Sequence, residues 1–395
     1  MTAPDPVVIA SAARTPLGRF QGELSSLPAP VLGGHVIGAA LERAQASGNQ
    51  IDEVLMGCVL PAGQGQAPAR QAMRRAGLPD AVGATTVNKV CGSGMKAVML
   101  GHDLIQAGSA NIVVAGGMES MSNAPYLIPG ARAGLRMGHS KLIDHMFFDG
   151  LQNPYDGEMM GHFGEICADK YKFSREEQDK FAIESVKRAQ LALANGLFKA
   201  ETVPVTVKSR KGDYLVDKDE EPVKCDIKKI PTLKPAFRKE GGTVTAATSS
   251  SISDGAAALV LMSASEAKKQ DSAPLARIVG HASFAQEPAW FTTAPVGAMN
   301  KLLKQVGWSV KDVDLFEVNE AFAVVAMAAM TELKIDHSKI NVHGGACALG
   351  HPIGASGARI IVTLIHALKA RGGKRGVASL CIGGGEATAI AVEIV

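Results

Sequence analysis

IVVAGGMES at residues 112–120 and SLCIGGGEA at 379–387 are the two stretches on which the fold turns. Each is a continuous apolar run of the kind found in central strands covered on both faces, and each ends in a glycine turn. Their surroundings repeat as well. Before the first run lies IDEVLMGCVL, a turn into a strand, and KDVDLFEVNEAF plays that part before the second. Cys58 stands 33 residues before Cys91, and Asn319 stands 32 before His351. Further upstream, VVIAS (7–11) reads as a buried strand and 29–46 as a helix, with apolar Val31, Val36, Ile37, Ala40 and Leu41; LARIVG (275–280) and 294–306 repeat that pair. This order predicts two similar α/β halves side by side, and two copies are too few for a solenoid.

The halves differ in one respect. After SLCI the chain turns through GGGE directly into a closing strand, ATAIAVEIV. After GGMES about 130 residues intervene before SDGAAALVLM (253–262) supplies the equivalent strand. Residues 121–250 therefore read as an insertion into the first hairpin, so the expected division is 1–120 plus 251–272, then 121–250, then 273–395. The insertion is rich in Met and Gly to about residue 162, helical from Ser174 to about Asn195, then charged and loop-rich. Lys208, Arg210, Lys211 and Lys224 in its charged part read as solvated residues, and the mixed signs exclude a polybasic arm.

At 395 residues with 46% hydrophobic and 20% charged side chains, the chain is expected to be globular with a large core. A net charge of +3 argues against nucleic acid or a membrane surface as partner. No run approaches the ~18 apolar residues of a membrane span, and MTAPDPVVIA is unlike a signal peptide. The six cysteines show no CxxC or Cys/His zinc spacing, so neither a disulfide scaffold nor a metal site is expected, and the free thiols suit a reducing cytoplasm.

Four stretches place one polar or reactive group among small residues at a strand end or a helix start: NKVCGSGMKA around Cys91, VNEAFA around Asn319, GGACALGHPIGASGAR around His351, and LCIGGGEA around Cys381. In α/β sheets, sites form at such edges. Cys91 falls at or just before the N-terminus of an apolar helix beginning near Met95, a position that favours thiolate. Taken singly, each has a plainer reading. Cys91 and Cys381 are acceptable core thiols, Asn319 can cap the helix that follows, and His351 before a proline can shape a turn.

Together, in this order and spacing, the four stretches resemble the signature motifs of the thiolase family, over the whole chain from ARTP (13–16) to CIGGG (381–385). The resemblance implies two αβαβα halves stacked in five layers, an inserted loop domain that holds coenzyme A and makes oligomer contacts, and a homotetramer. It implies reversible Claisen condensation of two acetyl-CoA to acetoacetyl-CoA and CoA, with a 3-ketoacyl-CoA thiolase of broader chain length as the alternative. Cys91 would be the nucleophile that carries the acyl group, His351 the acceptor of its proton, and Cys381 the base that takes the α-proton. Asn319 would join His351 in polarising the thioester oxygen through a bound water. The backbone N–H groups of Cys91 and Gly383 would form the second oxyanion hole.

Coenzyme A thioesters enter as substrates and no tightly bound cofactor is expected; CoA is implied by the family and the insertion, since neither a Walker A nor a Rossmann motif is present. The expected contacts are Ser250, Met160, Ala246, Phe237, Ala321 and Phe322. The chain departs from the family pattern at Met159, where a histidine is common, and at Thr248 and Ser251, where asparagine and glycine are usual. His343 stands at a common asparagine position, and Glu386 where GGGMG is frequent. Two other classes, a non-turning-over acyl-CoA binder and a cysteine hydrolase, leave Cys381 and the intact set of four without a role.

Overall fold

The computed structural model describes residues 5–395. Nine strands form its principal sheet path. The first half contributes β1 (Val7–Arg14), β2 (Glu53–Gly57), β3 (Gly83–Val87), β4 (Ile112–Ser120) and β5 (Ser253–Ser263) in the order β3-β2-β4-β5-β1. The second contributes β6 (Ala276–Ala285), β7 (Leu315–Val318), β8 (Arg375–Ile382) and β9 (Glu386–Ile394) in the order β6-β9-β8-β7. In each half the inner ladder is parallel, β2 to β3 and β4 in one and β7 to β8 in the other, and a closing antiparallel hairpin follows. Among the described residues the halves meet edge to edge at two residue pairs, Val8 with Arg277 and Ile9 with Ala276.

Side chains alternate across each strand, so each sheet feeds two cores. Ala256, Ala258, Val260 and Met262 of β5 face α1 (Ala29–Ala44) and α2 (Pro68–Arg75). The intervening Ala257, Leu259 and Leu261 face α3 (Ser93–Gln106) and α6 (Ile353–Arg371). Ala378, Leu380, Ile390 and Val392 of the second sheet share that middle core, while Val377, Ala387, Ala389 and Ala391 point outward onto α4 (Ala294–Val306) and α5 (Ala323–Leu333). The result is helix, sheet, helix, sheet, helix: five layers. Helix α6 is long and apolar enough to cross a membrane by composition, a feature that residue-by-residue inspection for an unbroken apolar run passes over. Its apolar character reflects burial, since 83% of its apolar window is buried in the middle layer.

α3 and α6 touch backbone to backbone. A Cβ on Gly357 would lie 2.3 Å from the Met95 nitrogen, and one on Gly94 would lie 2.8 Å from the Ala358 nitrogen. The glycines of CGSGM and PIGASG are thus needed for close approach near the helix N-termini. Cys91 and His351 each directly precede the N-cap of one of these helices, Gly92 and Pro352. That crossing brings the two turns into one site.

The 132 residues between β4 and β5 pack over it. Helix Arg175–Ala194 starts at Ser174, whose Oγ accepts from the Glu177 N–H (3.2 Å) while the Glu177 carboxylate accepts from the Ser174 N–H (2.8 Å). This capping box places the boundaries where the sequence predicts them. The segment is anchored by a buried ion cluster in which Arg14 of β1 donates Nε to Glu201 (2.6 Å) and Nη1 and Nη2 to Asp219 (2.6 and 2.8 Å). A guanidinium buried without both partners would be strongly destabilising, so this cluster fixes the insertion relative to the sheet.

Candidate active site

The turn before α3 is tight and strained. Val90 adopts φ +46°, a left-handed conformation that a β-branched side chain rarely tolerates. Ser93 holds it there, its Oγ accepting from the Lys89 N–H (2.8 Å) and donating to the Val90 carbonyl (2.6 Å). Cys91 is left half-buried at the turn's tip. The backbone N–H groups of Gly383 and of Cys91 itself point at its sulfur. Burial nonetheless outweighs these donors and pushes the thiol up to about 11. This corrects the expectation of a resting thiolate: the helix terminus does not overcome desolvation, and the proton stays on sulfur.

His351 supplies an acceptor. Its backbone N–H donates to the Ser251 carbonyl (3.0 Å), and its ring Nδ1 lies 2.6 Å from Ser356 Oγ. Ser356 Oγ donates its own proton to the Pro352 carbonyl (3.0 Å). The serine must then accept from Nδ1–H, which leaves Nε2 with a free lone pair. Burial lowers the ring to about 3, with Arg359 adding to the effect, so the imidazole is neutral. The side chain of Asn319 lies over this ring, with Nδ2 3.5 Å from both ring nitrogens, too long and too evenly divided for a directed bond. Asn319 Oδ1 is buried with no hydrogen-bond partner. The following helix takes Phe322 as N-cap, so capping does not explain Asn319. Cys381, one residue before the end of β8, is buried, its thiol driven well above the usual range by burial and by the adjacent Cys91.

Braces that sequence reading did not single out hold these groups. Glu119 accepts from the N–H groups of Val59 (2.9 Å), Leu60 (3.2 Å) and Gly354 (2.9 Å), joining the two halves directly beneath the His351 turn. Glu320 accepts from Ser185 Oγ (2.7 Å), Asn341 Nδ2 (2.8 Å) and the Cys347 N–H (3.1 Å), which fixes the loop after Asn319. The available signal was a lone carboxylate inside an apolar run, GGMES, and a second beside Asn319. Ser356 gave no signal beyond its place in the glycine-rich motif.

Over the site lies a cavity of about 520 Å³. All six expected contact residues, Ser250, Met160, Ala246, Phe237, Ala321 and Phe322, line it, as does His351. Cys91, Asn319 and Cys381 are not among its lining residues. Gly383 faces a neighbouring cavity of about 550 Å³, and Met160 borders both. Of the departures, Met159 lines the first cavity; Thr248 Oγ1 accepts from the Thr245 N–H (2.8 Å), replacing an amide's local bonding with a hydroxyl's. His343 packs edge-on against Phe198, its ring centroid 5.9 Å away. Glu386 pairs with Lys89, clasping the GGG turn to the Cys91 turn. Arg19, at the cavity, pairs with Glu221 (2.9 Å), and Lys224 pairs with Glu220; Lys208, Arg210 and Lys211 are exposed.

Residues 7–265 match the model of the thiolase N-terminal domain and residues 272–394 that of the thiolase C-terminal domain. The chain belongs to the thiolase family. This thiolase is 52% identical over 389 residues to an acetyl-CoA acetyltransferase of Cupriavidus necator, covering 98% of this chain and 99% of that one. Its fold is that of solved thiolases. The acetyl-CoA acetyltransferase of Bacillus anthracis superposes with a TM-score of 0.97 at 41% identity, covering all of both chains. The Acat5 thiolase of Ascaris suum, solved in complex with coenzyme A, superposes at 0.94 with 43% identity, over 99% of this chain and 100% of that one.

Proposed function

We propose that this thiolase is an acetyl-CoA C-acetyltransferase, interconverting two acetyl-CoA with acetoacetyl-CoA and CoA. The observation that carries the reading is the convergence of both halves on one sulfur. Cys91 belongs to the first half, the N–H aimed at it to Gly383 of the second, and the neutral imidazole, amide and second thiol all belong to the second half.

In condensation, Cys91 Sγ attacks the acetyl carbonyl as its proton moves to His351 Nε2, and the N–H groups of Cys91 and Gly383 stabilise the oxyanion. The carbon–sulfur bond to CoA breaks, and the leaving thiolate takes the proton held by His351; Cys381 then passes its own proton to the freed imidazole. A thiolate–imidazolium pair results, each charge lowering the cost of the other. The Cys381 thiolate then removes an α-proton from the second acetyl-CoA, while His351 and Asn319, whose free oxygen suits a bound water, stabilise the enolate. Carbon–carbon bond formation expels Cys91, which recovers its proton from His351. Thiolysis is the same sequence reversed.

The cavity beneath the insertion accounts for CoA: Phe237, Ala246, Ser250, Ala321 and Phe322 offer an apolar slot with few hydroxyls for pantetheine, and Met160 faces the acyl end. In this reading 1–120 with 251–272 and 273–395 are the two catalytic halves, and residues 121–250 serve CoA binding and contacts between subunits. A cytoplasmic homotetramer, a dimer of dimers, completes the reading, supported by free thiols and by family resemblance. The test is turnover. Acetoacetyl-CoA should be cleaved by CoA to acetyl-CoA, with cleavage slowing as the 3-ketoacyl chain lengthens. Faster cleavage of longer chains would instead make it a broad 3-ketoacyl-CoA thiolase, with the cavity beyond Met160 holding the tail.

A further inference from the structure

Three groups that take no part in this chemistry meet where the two halves adjoin. His102 and Asp103 lie near the C-terminal end of α3, and His281 lies on β6 of the second half. His102 stands eleven residues beyond Cys91, about 16 Å along the helix axis. His281 Nε2 is 3.2 Å from His102 Nδ1 and 2.9 Å from Asp103 Oδ1, and His102 Nδ1 is 3.0 Å from the same oxygen. The two rings are perpendicular, with centroids 4.9 Å apart.

Two imidazole nitrogens and one carboxylate oxygen stand within 3.2 Å of one another, and a cation at the centre would take a lone pair from each. Tetrahedral arms of about 2.0–2.1 Å place neighbouring ligand atoms about 3.3 Å apart, close to the edges seen here. Two imidazoles and a carboxylate suit a zinc-class ion and leave its fourth position to solvent, on the side where Asp103 is 53% exposed while His102 and His281 are 18% and 16% exposed.

Lys96 is the nearby cation that opposes a bound ion.

We infer that His102, Asp103 and His281 form a binding site for one zinc-class divalent ion, which ties the helix behind the Cys91 turn to the strand of the opposite half. The ion would act as a staple, since its ligands come from elements 178 residues apart and come together only in the folded chain.

The full-length protein, stripped of metal with a chelator, should bind one Zn²⁺ per chain and melt at a higher temperature with Zn²⁺ than without. X-ray absorption of the zinc-loaded protein should show nitrogen and oxygen at about 2.0–2.1 Å and no sulfur at about 2.3 Å. His281→Ala and, on the half-exposed helix face, Asp103→Asn should each weaken binding by more than about 100-fold, since even outer partners of a metal ligand are worth about 10–100-fold. Cys91→Ala should bind Zn²⁺ as wild type does, which separates this site from the reactive thiol. Absence of stoichiometric binding, unchanged binding in Asp103→Asn, or a sulfur-containing shell would each overturn the assignment.

Discussion

Matching strand ends carry a carboxylate in one half and a thiol in the other. The ladders set the equivalence. β2 reaches Gly57 opposite Gly117, and β7 reaches Val318 opposite Ser379, so two residues further along Glu119 answers to Cys381. The closing pairs of the hairpins agree, Ser120 with Asp254 and Ile382 with Glu386. Likewise Cys58 answers to Asn319, and Cys91 to His351. In the first half Glu119 and Cys58 are closed off and only Cys91 stays reactive: Glu119 is saturated by three backbone N–H groups, and the Cys58 thiol lies 3.7 Å from its Oε1. In the second half Asn319 Oδ1 has no partner and His351 Nε2 keeps its lone pair. A duplicated scaffold thus becomes a brace where backbone donors close on the polar group, and a reaction site where that group is left open.

Breaking the open side should cost most. His351→Ala removes the acceptor for a thiol held near 11, and kcat/KM for acetoacetyl-CoA thiolysis should fall by at least about 10³-fold. In the wild type, burial keeps His351 neutral down to about 3 and not merely to its ordinary 6.5. Acylation should therefore persist down to about pH 5 without a step belonging to this ring; a loss centred near 6.5 in single-turnover acylation would contradict the buried neutral imidazole.

Breaking the closed side should act on stability instead. Glu119→Gln sets a side-chain NH₂ among backbone donors and should cost about 1–3 kcal/mol in chemical denaturation, with kcat changing less than tenfold. Burial raises Glu119 from 4.5 to about 7, so its contribution is complete below 4.5 and fades as pH rises through 7. The stability gap between wild type and Glu119→Gln should narrow from pH 5 to pH 8, and a widening gap would mean that the ionised form is the favoured one.

Smaller effects sharpen the contrast. Ser356→Ala frees the His351 tautomer and should lower kcat about tenfold with little change in KM, whereas equal loss in both would point to pocket damage. Glu386→Met breaks the half-exposed pair with Lys89 and should change stability by less than about 1 kcal/mol, read from the denaturation midpoint.

Much of this was legible in the chain because strand ends and helix starts announce themselves locally. The paired runs at 112–120 and 379–387 and the interval from Cys58 to Cys91 mark the duplication, and Ser174 with Glu177 marks a helix start. Cys91, Asn319, His351 and Cys381 stood out because each is reactive or polar among small residues. What stayed hidden depends on contacts far apart in sequence. The protonation of Cys91 follows from burial that no local motif encodes. Glu119 becomes a brace only because Gly354 arrives 235 residues later. His281 lies 179 residues from His102, beyond any search for ligand spacing along the chain.

The central claim, that the site divides its labour between a nucleophile from one half and an acid–base thiol from the other, is tested most directly by intact-protein mass spectrometry of Cys381→Ser after mixing with acetyl-CoA. One acetyl group, about 42 Da, should appear on Cys91 while acetoacetyl-CoA fails to accumulate. A variant that neither acylates Cys91 nor condenses, or one that condenses at the wild-type rate, would contradict it.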